Sequence, residues 1–191
     1  LTGKADVEVA KPTLDFDATV NAASLELPAT LAALTGYQGA TAGSISVASL
    51  SLTGQGANFK SYNGLGSATL KSPGFGAIPA LTRLAPFLGL SADGISSFNE
   101  GTASVRITNG VAQTTKPLKF TSSNLGLTAS GSIGLDGALS LDCTADAPTA
   151  SLAGQIGGSA IGQIIGLKQS GGRTSIPFAL GGTLSAPTPK L

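Results

Sequence analysis

The feature that most constrains this chain is a long two-residue alternation between Leu125 and Cys143. Odd positions carry Leu125, Leu127, Ala129, Gly131, Ile133, Leu135, Gly137, Leu139, Leu141 and Cys143. Even positions carry Gly126, Thr128, Ser130, Ser132, Gly134, Asp136, Ala138, Ser140 and Asp142. Successive side chains of a strand point to opposite faces, so this row puts apolar groups on one face and small polar groups on the other. A helix would scatter both kinds around its circumference. Asp136-Gly137 is a two-residue hairpin signal, because both residue types tolerate positive φ. Two strands, about 125–135 and 138–145, are therefore expected to pair across that turn.

The same pattern recurs upstream. Ala103, Val105, Ile107 and Val111 alternate with Thr102, Ser104, Arg106 and Thr108, and Asn109-Gly110 is a second hairpin signal. Leu118 and Phe120 continue the apolar face after Pro117. Further strands are expected at 5–10 (Val7, Val9), 13–20 (Leu14, Phe16, Val20), 44–54, 57–60 and 175–184 (Ile176, Phe178, Leu180, Leu184). Within 44–54 the apolar phase slips between Val47 and Leu50, which predicts a bulge. Strands at this spacing, separated by turn residues, predict a mainly β, antiparallel structure. The sheet is expected to be strongly twisted or curled, with two or three short helices.

Three segments break the alternation. Residues 28–35 predict a short helix with Pro28 near its start. Residues 78–90 place Ile78, Leu81, Leu84, Ala85 and Leu88 at helical spacing, with Pro79 in the first turn and Pro86 bending or ending it. Residues 154–167 carry Gly154, Gly158, Gly162 and Gly166, one stripe of a helix opposite Ile161, Ile164 and Ile165. A membrane dimerisation motif would need a longer apolar segment around such a stripe, so close backbone packing is the preferred reading.

The composition removes most chemistry. There is no His, so histidine-based triads and the commonest metal ligand are absent. Cys143 is the only cysteine, which excludes an internal disulfide and leaves zinc without a credible ligand set. Asp15, Asp17, Asp136 and Asp142 are carboxylates by type, but they fall on a polar strand face or in a turn, where a structural role is favoured over glycosidase work. The Gly-x-Gly stretches at Gly54 and Gly64 lack the following helix that a phosphate cradle needs. Net charge is +1, with no basic cluster for nucleic acid. Charged residues make up 11%, against roughly 25% in an ordinary domain. The apolar face therefore has few charges to interrupt it. No apolar run is long enough for a membrane-spanning helix. The chain begins at Leu1, so it is read as a segment of a longer protein.

Four stretches together resemble the C-terminal region of AsmA-family proteins. They are Gly64–Leu70 leading into 78–90, Phe98–Gly110 with its Asn-Gly turn, Leu127–Gly137, and the closing Ile176–Pro187. The resemblance covers about 64–187 well and 1–60 weakly, so 1–191 is read as one region. It implies a β-sheet groove in the periplasm of a Gram-negative bacterium, with an inner-membrane helix upstream. Larger relatives such as TamB are implicated in carrying phospholipid toward the outer membrane. The family offers no catalytic residues, so no enzyme activity and no cofactor are expected. The partners implied are phospholipid or another acyl lipid, with other envelope proteins. The candidate lipid-facing residues are Val105, Ile107, Leu127, Ile133, Leu135, Leu139 and Leu141. The competing expectation is a structural or assembly module whose apolar face is its own closed core.

Overall fold

The computed structural model describes residues 2–8, 15–35, 38, 40–75, 97–148, 168–184 and 186–190. The described residues form one antiparallel sheet of eleven strands and one helix. In chain order these are β1 (Thr2–Glu8), β2 (Asp15–Glu26), α1 (Leu27–Thr35), β3 (Ala40–Gln55), β4 (Asn58–Phe75), β5 (Glu100–Thr108), β6 (Val111–Thr121), β7 (Gly126–Gly134), β8 (Ala138–Pro148), β9 (Lys168–Ser170), β10 (Arg173–Thr183) and β11 (Pro187–Lys190). The sheet is a meander. Strands β1 to β8 lie side by side in sequence order, β10 joins β8, and β9 and β11 both pair with the outer edge of β10.

The expected hairpins form. Asn109 and Gly110 both have positive φ, 51° and 76°, and make the two-residue turn between β5 and β6. The β7–β8 connection is one residue longer than the sequence predicts. Leu135, Asp136 and Gly137 all lie between the strands, Gly137 N–H bonds to Gly134 O at 2.8 Å, and Gly137 sits at φ 91°. This is a turn followed by a left-handed glycine, a common three-residue hairpin loop. Asp136 Oδ1 accepts the Ala138 N–H at 3.1 Å and holds the loop's exit.

The predicted slip in β3 is a bulge. Val20 faces Leu50 but Ala22 faces Val47, and the β3–β4 register shifts between Val47 and Ser49. The expected strand at 57–60 is the start of the much longer β4. Helix α1 occupies the predicted 28–35 with Pro28 in its first turn, and Leu27, 1% exposed, anchors it against Leu70, Ile45 and Phe120. One helix is present among the described residues, where two or three were expected. The proposed helices at 78–90 and 154–167 lie outside the described residues.

The main core gathers Phe98, Leu118, Leu125, Ala129, Leu141, Cys143, Ala145, Ala147, Ile176 and Phe178. Phe120 packs on this cluster and on the Leu27–Leu70 cluster, so it joins the two. At the far end of the sheet, Arg173 pairs with Asp146, whose other carboxylate oxygen accepts the Ser175 hydroxyl at 3.0 Å.

Replacing Gly137 by Val tests the turn. Nothing lies within 4 Å of a Cβ at this position, so the cost is conformational alone. A left-handed backbone costs an L-residue about 1–2 kcal/mol, and a β-branched one falls at the upper end. Thermal unfolding of Gly137→Val should drop by about 2–4 °C per kcal/mol in a domain of this size. Gly137→Asn should lose less. Equal melting temperatures for all three would show that the turn does not impose this φ.

Candidate functional site

The pairing register determines which residues share a face, because directly opposed residues point the same way. One rung runs Leu25, Ile45, Leu70, Gly101, Phe120, Leu127, Ala145, Ile176 from β2 to β10. Another runs Ala18, Leu52, Gly64, Ile107, Ala112, Ile133, Leu139, Gly182. Between them lie Val20, Leu50, Gly66 and Val105 on one side and Leu118, Ala129, Cys143 and Phe178 on the other. None of these positions holds Asp, Glu, Lys or Arg. The opposite face carries rungs such as Thr69, Thr102, Lys119, Thr128, Thr144. The alternation thus becomes one continuous uncharged face.

Coverage of that face is uneven. At the end remote from the hairpin tips, Leu125, Ala145 and Ala147 are 0% exposed and Ile176 is 1% exposed. Val105, Ile133, Leu139, Ala18, Val20, Leu50 and Leu52 are partly buried, as are Leu25, Ile45, Phe120 and Leu127 on the rung of Ile176, while Ile107 beside the tips is buried. Of the predicted site residues, Ile107 and Leu141 are buried, and Val105, Leu127, Ile133 and Leu139 are partly buried on this face. Leu135 departs from the expectation that it faces inward. It is 39% exposed in the β7–β8 loop, because alternation stops where the strand ends at Gly134.

Sequence reasoning did not single out Leu27, Phe98 or Phe120 as covering residues. Phe98 and Phe120 meet with ring centroids 5.5 Å apart. Phe98 lies outside any strand, beyond the reach of a periodicity argument. Gly101, opposite Phe120, supplies the signal in hindsight. A Cβ there would stand 2.8 Å from the Phe120 ring, so the glycine makes room for it.

An open recess of about 690 Å³ lies over the polar face, among Lys119, Thr128, Ser130, Asp142, Thr144 and Lys190. Pro117, Pro177, Phe178 and Ala179 line it as well, and most of its wall is apolar. Among the described residues no group of three or more carboxylates or thiols stands close enough to hold a metal ion. Cys143 is buried, and its thiol pKa is pushed from 9.0 up to about 11 by burial and by the nearby Asp142 charge. It stays protonated near neutrality and is a poor nucleophile. Compared with known proteins, the chain matches no family model, no curated protein and no solved structure.

Two measurements test this geometry. Leu141→Ala should cost about 2–5 kcal/mol as a buried truncation, whereas Leu135→Ala should stay within about 0.5 kcal/mol. Equal losses would contradict the face assignment. The Cys143 contribution to stability is full below pH 9 and is lost as pH rises toward 11, because the unfolded thiol ionises first. Unfolding midpoints between these pH values should fall less in Cys143→Ala than in the parent. An identical decline would remove the thiol from the balance.

Proposed function

We propose that this chain is a non-catalytic, groove-forming segment that handles acyl lipid in the periplasm of a Gram-negative bacterium. In this reading it belongs to a longer AsmA-like protein, held in the inner membrane by an upstream helix and serving outer-membrane biogenesis. One observation carries the proposal. The apolar face is continuous and uncharged from β2 to β10, and many of its large side chains, Val105, Leu127, Ile133 and Leu139 among them, are only partly buried. A core meant only for itself gains nothing by leaving such a stretch partly open. An acyl chain laid there gains about 0.8 kcal/mol for each methylene removed from water. It needs no polar partner along its length, and the face offers none.

The groove requires the sheet to curl toward this face. Gly64 and Gly131 support that reading. A Cβ on Gly64 would collide with the Ser51 carbonyl oxygen, and one on Gly131 with that of Ser140. Both glycines therefore permit a backbone approach that a side chain would prevent. The four stretches that resemble the AsmA family, within 64–187, support the assignment to an envelope protein that works with phospholipid and with other envelope proteins.

A second reading is favoured by a different observation. Leu125, Ala145, Ala147 and Ile176 are at most 1% exposed, so part of the face is fully dry. If that state extends to the tips in solution, the chain is a structural or assembly module with a closed core.

Photoreactive residues at Val105, Ile133 and Leu139, compared with Ser130 and Ser140 on the opposite face, separate the two. Lipid handling predicts crosslinks to phospholipid from the first three, on a protein whose melting temperature is unchanged. Native mass spectrometry should then find phospholipid on the purified chain. A folded protein that yields no lipid crosslink from any of the three would leave the structural module standing.

A further inference from the structure

The hairpin tips form an edge of their own. Gly110 N–H donates to Tyr62 O at 2.9 Å, Leu135 N–H to Gly110 O at 2.8 Å, and Leu184 N–H to Gly137 O at 2.9 Å. Asn109 N–H also bonds to the Asn63 side chain at 3.1 Å. These bonds tie the β3–β4, β5–β6, β7–β8 and β10–β11 ends together. Along this edge stand Phe59, 53% exposed, Val111, 43%, and Leu135, 39%. They are contiguous through the backbone. A Cβ on Gly110 would strike the Phe59 carbonyl oxygen, and Gly110 in turn accepts from Leu135. Leu65, 50% exposed, lies further up β4 opposite Arg106. These four are the exposed large hydrophobic residues among those described. Lys60 and Arg106 are exposed beside them, as is Asp136, whose Oδ1 accepts the Ala138 N–H.

We propose that this tip edge, Phe59, Val111 and Leu135 with Lys60 and Arg106, docks onto the surface of a lipid bilayer bearing anionic head groups. Exposed apolar side chains grouped at one place mark a contact surface. A bilayer fits better than a protein. A stable protein interface needs roughly 800 Å² per partner around a central pocket, and three side chains spread along hairpin tips give neither. They do suit shallow insertion, with the flanking basic side chains reaching back to phosphate oxygens. The backbone bonds between tips hold the residues in place without a partner, so little ordering cost falls on binding. This edge would act whether or not the apolar face carries lipid, and it has a separate readout.

The test is vesicle binding by the full chain at low salt. Vesicles containing phosphatidylglycerol with phosphatidylcholine should co-sediment the protein, and phosphatidylcholine alone should do so more weakly, by about fivefold for each basic residue near the surface. The combined variant Phe59→Ser, Val111→Thr, Leu135→Ser should keep its circular dichroism spectrum and lose at least roughly tenfold in partitioning. The chain contains no Trp, so Phe59→Trp supplies a single tryptophan, excited selectively beyond the tyrosine band, without removing the apolar contact. Its emission should shift to the blue when anionic vesicles are added. Failure to sediment with either vesicle would overturn the proposal. So would a folded triple variant that binds as well as the parent, or a Phe59→Trp emission that does not move.

Discussion

Strand register is the constraint on which everything else here depends. Because side chains alternate, a slip of one residue in any pairing would turn a whole apolar row to the opposite face. The chain contains departures from perfect pairing and recovers its phase after them. Between β6 and β7 the pairs Gln113–Ser132 and Leu118–Ala129 are separated by five residues on β6 and three on β7. The surplus of two is even, so Leu118 and Phe120 return to the face occupied by Ala112. The interruption removes ladder partners, and Thr114 Oγ1 accepts the Gly131 N–H at 3.0 Å in their place. Pro117, which has no N–H to donate, falls within the same interruption.

The edge of β10 follows the same logic. β9 pairs with Arg173–Ser175 and β11 with Ala179–Gly182 on the same side, leaving Ile176–Phe178 between them. Pro177 occupies the middle of that gap, where it removes the one donor that another strand would seek. β11 carries Pro187 and Pro189 and is only four residues long. Short, proline-bearing edges resist pairing with other chains.

Legibility in the sequence tracked the amplitude of the alternation. Leu125–Cys143 sets large apolar residues against Ser, Thr and Asp, and its strands were readable, as was the Asn109-Gly110 turn. The β3 bulge was visible because Val47 and Leu50 fall out of phase. The alternation shows only four residues of β4 because Gly64, Gly66 and Ala68 on its apolar face contrast weakly with Asn63, Leu65 and Ser67 between and beside them. Leu135 looked like a face residue because one extra loop position cannot be seen in a list of alternating letters. The juxtaposition of Phe59, Val111 and Leu135 depends on hydrogen bonds between separate hairpins, so no local pattern contains it.

The uneven coverage limits what could occupy the apolar face. Where Ala145, Ala147 and Ile176 are already dry, an added chain would have to displace existing packing. Near Val105, Ile133 and Leu139 water is displaced instead, and that exchange is favourable for an apolar occupant. An acyl chain would therefore lie along Val105, Ile133 and Leu139 and leave Ala145 and Ile176 undisturbed. The exposed tip residues lie near those three, so a bilayer held by them would present its lipids to the partly open part of the face. The place of such a chain would then be set by which stretch of the face is dry, without any charged or polar residue needed to choose it.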